Sequence, residues 1–469
     1  MRAHEAGALH GDIGNRGPAW LRTPVDVNSL VPQLWPRHVV RAASGALEVA
    51  GLDVRDLAAE FGTPVYVLDE DDLRSRCREF RAAFPDVDVY YAGKAFLCRA
   101  VVRMIAEEGM FLDVCTGGEL ATALSAGMPP ERIGFHGNNK SVAELTRAVD
   151  AGVGRIIVDS FAEIDRLTAL ARERGVRPKV LVRVTVGVEA HTHEFIATAH
   201  EDQKFGFSLA GGAAAAAAFK ILDEGVLELR GLHSHIGSQI FDASGFEVSA
   251  RRVLGLQAQI RDARGVELPE LDLGGGFGIA YTTQDDPAAP HELAKRLRKI
   301  VDGECAVEKL AVPHLSIEPG RAIVGPAVFT LYEVGTVKSV PLGTGGSAAD
   351  GRAYVSVDGG MSDNIRTALY DASYSATVAN RASAAEPLLA RVVGKHCESG
   401  DIVVKDEFLP ADVQPGDLVA VPGTGAYCRS MASNYNHVPR PPVVAVRDGR
   451  ARLIVRRETE EDLLALDVG

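Results

Sequence analysis

The stretch Val87-Asp88-Val89-Tyr90-Tyr91-Ala92-Gly93-Lys94-Ala95-Phe96 decides how the rest of the chain is read. Residues 87–91 form a short apolar run that reads as a strand, and it ends on small residues and a lysine. The small neighbours leave room for a bulky group to approach Lys94. A lysine at the end of a buried strand is costly unless its charge is paired or used chemically. One such use is a Schiff base with an aldehyde, for which the site must hold the amine ready to react. Taken alone, Lys94 reads as a solvated loop residue. Its company downstream changes that.

From about residue 60 to 325, apolar runs alternate with helical patterns. Strands are expected at 87–91, 111–115, 133–136, 155–159, 179–186, 229–235, 271–273 and 314–317. Amphipathic stretches at 143–151, 161–173 and 291–301 separate some of them, and the alanine run 213–218 reads as another helix. Short strands separated by helices indicate parallel βαβ units. Eight repeats predict an α/β fold, a (β/α)8 TIM barrel. After about residue 325 the pattern changes to β-like runs at 329–337, 352–357, 390–393, 418–420 and 442–446, with Gly, Pro and Asp turns between them. A last strand at 452–456 and a closing helix at 461–466 complete a C-terminal β-rich domain. The expected organisation is a flexible extension over 1–34 and an N-terminal segment over 35–60 that packs on the β domain. The barrel follows over 61–325 and the β domain over 326–469.

Composition bounds the partners. The chain has 469 residues and a formal net charge of −13, which argues against nucleic acid or an anionic membrane as a partner. No apolar stretch is long enough to span a bilayer, and the first residues lack the apolar core of a secretory signal. A cytoplasmic enzyme of small molecules fits this balance. The six cysteines are dispersed with no C-x-x-C pair, so neither a zinc ribbon nor a disulfide framework is implied.

In a TIM barrel the chemistry sits at the C-terminal ends of the strands. Lys94 follows the first strand, and His235 in Leu232-His233-Ser234-His235-Ile236-Gly237-Ser238-Gln239 ends the sixth. Gly274-Gly275-Gly276-Phe277-Gly278 follows the seventh, where such barrels often bind phosphate. Backbone N–H groups there can approach phosphate oxygens with no Cβ in the way. Glu318-Pro319-Gly320-Arg321 follows the eighth. An imidazole to stack on a flat ring and a carboxylate to accept a pyridinium N–H suit pyridoxal 5'-phosphate, whose protonated ring is an electron sink. The bland alternatives are a core histidine, a turn glycine run and a surface carboxylate paired with Arg321.

The blocks YAGKA, HGNNKS, HSHIGSQ, DLGGGFG, EPGR and GKHCESGD resemble the fold-type III, PLP-dependent amino-acid decarboxylases. DVCTGGEL, TVGVEAHTHEFI, MSDNIRTALY and GTGAYC are similar to the diaminopimelate decarboxylase family, actinobacterial in style. The resemblance runs from about residue 35 to the C-terminus. Gly93 departs from it, standing where alanine or valine is usual, and the N-terminal extension is unmatched. The resemblance implies decarboxylation of meso-2,6-diaminopimelate to L-lysine and CO2, the last step of lysine biosynthesis. It implies Lys94, His235 and Cys397 as catalytic residues: Lys94 anchors the cofactor, His235 stacks on its ring, and Cys397 protonates the carbanion. Cys397 would come from the neighbouring subunit of a homodimer. Glu318 would hold the pyridine nitrogen. Ser238, Gly275, Gly276, Gly320 and Arg321 would line the phosphate or ring, with the Tyr427 hydroxyl near the phosphate. Arg321, Arg366, Tyr370 and Tyr427 would face substrate, the first three at its distal carboxylate, and Glu398 would take its distal ammonium.

A substrate with an amino acid centre at its far end needs both charges met, because a buried unpaired charge is expensive. An arginine fork donates two parallel hydrogen bonds to a carboxylate. An ornithine or arginine decarboxylase keeps the fold but needs only an acidic partner at the far end. An alanine racemase would need a tyrosine acid/base and an arginine, not Glu318, near the pyridine nitrogen. A non-enzymatic PLP-binding protein would resemble the barrel alone. A metal hydrolase is suggested only by His191, His193 and His200, with no water-activating carboxylate motif beside them, so no metal is expected.

Overall fold

Strand β1 (Val87–Ala92) pairs in parallel with β2 (Phe111–Val114), which pairs with β3 (Ile133–Phe135), and β3 with β4 (Arg155–Val158). The ring continues through β5 (Lys179–Thr185), β6 (Glu228–Ser234), β7 (Glu270–Asp272) and β8 (His314–Ile317). Pairing of β8 with β1 closes it. The computed structural model describes residues 17–187, 203–341 and 351–469, and they divide into two compact units. The closed barrel lies in the unit made of Arg74–Gly278 and Pro287–Ile323.

The expected strands lie within about one residue of those observed, for a physical reason. Strands buried on both faces read as continuous β-branched and aliphatic runs. Leu112, Ile133, Ile156, Val180, Val182, Leu232 and Leu271 are almost fully buried. The connecting helices carry their own start signals. Ser141 caps Val142–Ala151 by a capping box with Glu144, and Ser160 caps Phe161–Arg174. The alanine run opens the helix Ala213–Glu224, whose Ala214, Ala215, Ala217, Ala218 and Ile221 are buried.

The other unit contains Ile279–Asp286, Val324–Gly469 and the chain up to Leu73. Its main sheet runs Ile402–Pro410, Pro387–Val393, Gly351–Val357, Val328–Pro341, Val65–Asp69, Val443–Arg447, Arg450–Val455. Leu418–Pro422 pairs with Val328–Pro341 and with Thr377–Val378. Val65–Asp69 falls in the stretch expected to open the barrel, yet it pairs antiparallel with Val328–Leu331 and parallel with Val443–Val446. Both neighbours are distant in sequence, so no local signal marks the strand as theirs. Val39–Arg41, Leu47–Val49 and Leu52–Asp53 form a small sheet of their own. Leu34, Trp35, Leu47 and Val49 share a core with Val65, Val67, Phe329 and Val444. Asn28 exchanges hydrogen bonds with Ser383, so the tie to this unit begins before residue 35. Among the described residues, no helix is long and apolar enough to cross a membrane.

Candidate active site

Each unit holds part of the residue set singled out from the sequence. Lys94, His235, Ser238, Gly275, Gly276, Glu318, Gly320 and Arg321 lie in the barrel unit, at or just beyond the C-terminal ends of β1, β6, β7 and β8. Lys94 sits on a short 3-10 turn, Gly93–Ala95, between the buried Ala92 and Ala95, and is itself exposed.

The small residues around Lys94 are explained by packing. A Cβ on Gly93 would meet the Asp113 carbonyl oxygen at 2.7 Å. A Cβ on Gly320 would lie 2.8 Å from Ala92 Cβ, 2.9 Å from Ala92 O and 3.2 Å from Ala95 Cβ. The turn after β8 therefore seats directly against the turn that carries Lys94. The Ala92 N–H donates to Pro319 O at 3.4 Å across the same seam.

The turns after β6 and β7 are sewn together in the same way. Ile240 N–H donates to Gly276 O at 2.9 Å, and Gly278 N–H donates to Ile240 O at 3.1 Å. Gly276 has φ +110°, and a Cβ there would lie 2.6 Å from Gly237 O. Only glycine fits. Gly275 N–H donates to His235 Nδ1 at 3.2 Å. That nitrogen is therefore an acceptor without a proton, which leaves the imidazole neutral with its proton on Nε2. Burial, followed by the nearby Lys94 charge, holds His235 well below the usual histidine range.

Beneath these turns lies a buried polar cluster that single-residue reading missed. Glu318 Oε1 stands 2.9 Å from His233 Nε2 and 3.4 Å from His136 Nε2, and His136 Nε2 lies 3.1 Å from Asp113 Oδ1. The His233 approach lacks hydrogen-bond alignment, and both Glu318 Oε1 and the His233 nitrogens are without a hydrogen-bond partner. Burial pulls His136 and His233 down to about 3, so both are neutral near pH 7. Burial, then the Asp113 charge, pushes Glu318 up to about 7, while His136 and Lys94 pull the other way. The pairs are thus neutral-imidazole contacts rather than ion pairs at neutral pH. His233 lies in β6, and His235 directly follows that strand. Arg321, expected as a partner of Glu318 in the bland reading, instead donates to Ser238 Oγ through Nη2 at 3.0 Å and Nε at 3.3 Å.

Arg366, Tyr370, Cys397, Glu398 and Tyr427 lie in the β unit. Arg366 opens the short helix Arg366–Tyr370 and is buried. Cys397 and Glu398 are exposed on the turn after Pro387–Val393. Asp401 ties the two loops together, accepting from Met361 N–H at 2.6 Å and His396 N–H at 2.7 Å. His396 Nε2 adds a 2.8 Å contact with Ser362 Oγ. Asn436 Oδ1 accepts from Cys397 N–H at 3.3 Å. Tyr427 has φ +63°, a left-handed conformation of the kind that clusters at ligand sites. His191, His193 and His200 lie outside the described residues.

Pyridoxal phosphate fits the barrel residues. A pyridine N–H would meet an acceptor, Glu318 Oε1, that is buried and has no partner. His235 presents a flat, uncharged ring, and the glycine turns leave no Cβ in front of the backbone. His136, His233 and Glu318 also place one ligand atom each within 4.8 Å of one another.

Residues 70–325 match the pyridoxal binding domain of the pyridoxal-dependent decarboxylases. The diaminopimelate decarboxylase of Mycobacterium tuberculosis is 59% identical over 94% of this chain and 98% of its own length. That of Mycobacterium leprae is 56% identical over the whole of both. The crystal structure of diaminopimelate decarboxylase from M. jannaschii in complex with L-lysine superposes with a TM-score of 0.85 at 31% identity, covering 92% of this chain and 98% of that one. A closed parallel barrel with a buried, unpartnered Glu318 carboxylate oxygen at its mouth, joined to these likenesses, leaves one conclusion: the chain belongs to the pyridoxal-dependent decarboxylases, among the diaminopimelate decarboxylases.

Proposed function

We propose that this chain converts meso-2,6-diaminopimelate to L-lysine and CO2 in the cytoplasm, as a homodimer in which each active site combines residues of two copies. The observation that carries the reading is the seam at the barrel rim. There the Lys94 turn packs on the Glu318–Arg321 turn above an acceptor with no partner.

Pyridoxal phosphate, when bound, supplies the sink for the electron pair left by departing CO2. Lys94 supplies the amine that anchors it, and Glu318 accepts the ring N–H. His235 offers its neutral face to the ring. Ser238, Gly275, Gly276, Gly320 and Arg321 line the ring or phosphate, and Tyr427 brings its hydroxyl to the phosphate. Cys397 of the second copy delivers a proton to the carbon that lost CO2, so that carbon exchanges one C–C bond for one C–H bond.

The far end of the substrate carries an ammonium and a carboxylate, and both need partners once out of water. Arg321, Arg366 and Tyr370 take the carboxylate, and Glu398 takes the ammonium. Tyr427 faces the substrate as well.

The deciding experiment mixes the purified chain, pyridoxal phosphate and meso-diaminopimelate, and measures L-lysine and CO2. Equimolar release of both is expected. CO2 from ornithine with none from diaminopimelate would overturn the substrate assignment.

A further inference from the structure

Arg366 is buried, at 5% exposure, yet no carboxylate among the described residues pairs with it, and its Nε has no hydrogen-bond partner. A buried cation without a counter-charge is costly, so something must stabilise it. Its guanidinium carbon lies 4.6 Å from the centre of the Tyr281 ring and 5.5 Å from that of Tyr374. The two rings meet edge to face at 5.1 Å and 76°. Arg366 Nη1 also donates to the Tyr374 hydroxyl.

The support continues behind the tyrosine. Tyr374 Oη contacts Cys428 Sγ at 3.6 Å, and the Cys428 thiol donates to Asn364 Oδ1 at 3.5 Å. Asn364 Oδ1 in turn accepts the Arg366 N–H at 3.3 Å. The loop closes on itself. Cation–π attraction is strongest where the cation is desolvated, as here.

We propose that Tyr281 and Tyr374 are specificity-determining positioning residues: the Tyr281 ring and the Tyr374 hydroxyl together hold Arg366 so that its charge stays uncompensated until a substrate carboxylate arrives. A carboxylate at this position in the protein itself would have neutralised Arg366 and competed with an incoming anion. The Tyr281 ring stabilises the cation without occupying a donor, the Tyr374 hydroxyl takes only one N–H of Nη1, and Nε has no hydrogen-bond partner. The ligand class this selects is an amino acid with a second carboxylate remote from the reacting end. Guanidinium is too basic to give up its proton on burial, so Arg366 stays charged.

The proposal rests on Arg366 being the receptor of the distal carboxylate, and its test separates the two. L-Lysine keeps that carboxylate after decarboxylation, whereas cadaverine lacks it. In the cofactor-loaded enzyme, Tyr281→Leu should raise KM for meso-diaminopimelate and the inhibition constant of L-lysine about tenfold. The kcat and the cadaverine inhibition constant should stay within about twofold of wild type, and Tyr281→Phe, which keeps the π face, should restore L-lysine binding. Tyr374→Phe removes one oxygen and tests the clamp with the least risk to folding; it should weaken L-lysine severalfold. A clamp variant that binds L-lysine like wild type while Arg366→Gln does not, or that loses L-lysine and cadaverine equally, overturns the clamp. Unchanged L-lysine inhibition in Arg366→Gln overturns the underlying assignment of Arg366 instead.

Discussion

The barrel mouth and the Arg366 loop both bury basic side chains, and the outcomes are opposite. At the mouth, burial strips the charge from His136 and His233 and raises Glu318 towards neutrality. In the β unit, Arg366 keeps its proton because guanidinium is too basic to lose it, and the Tyr281 ring lies against it. One region is prepared for a ligand that brings its own hydrogen-bond donor. The other is prepared for a ligand that brings a negative charge.

The largest effect expected at the barrel mouth is from Lys94→Ala. It should abolish turnover and the visible absorbance of lysine-bound cofactor, both read on the purified variant. A variant that kept that absorbance would refute the anchoring role.

A second experiment tests whether the two regions cooperate between copies. Cys397→Ala should load cofactor normally while kcat falls by about 10²–10⁴-fold. Lys94→Ala and Cys397→Ala chains, each nearly inactive, should recover about a quarter of wild-type activity per chain when mixed and allowed to reassort. No recovery after demonstrated subunit exchange would exclude a shared site.

The smallest effect sharpens the electrostatic contrast. In the cofactor-free chain Glu318 is raised from 4.5 to about 7, so between those values the folded state holds a proton that the unfolded state has released. Stability from this group is therefore present below about pH 4.5 and lost as pH rises to about 7. Thermal melts should show the wild-type chain losing a few degrees relative to Glu318→Gln across that window. Parallel curves would mean that Glu318 titrates normally.

These regions differ in how much of them a sequence shows. The eight barrel strands were legible because burial on both faces forces apolar runs, and the rim residues because the chemistry sits where strands end. Glu318 and His235 each stood in a short recognisable block. The buried layer under them was not legible, because His136 and His233 reach Glu318, and Asp113 reaches His136, from three separate segments of the chain. The Arg366 clamp was less legible still: Tyr281, Tyr374 and Cys428 lie in no common motif, and their meeting depends on the fold. Val65–Asp69 was placed in the wrong neighbourhood for the same reason, since its partners lie more than 250 residues away.

That strand has a consequence during synthesis. Val65–Asp69 leaves the ribosome early, but its first partner, Val328–Leu331, is made some 260 residues later. At about 5–20 residues per second the wait is roughly 13–50 s. Throughout it, five residues that are fully or nearly fully buried in the finished sheet have no strand to pair with. The barrel's own strands are all translated within that interval. The nascent chain therefore carries a waiting apolar edge while its larger half is already complete, the point at which a chaperone would be needed most.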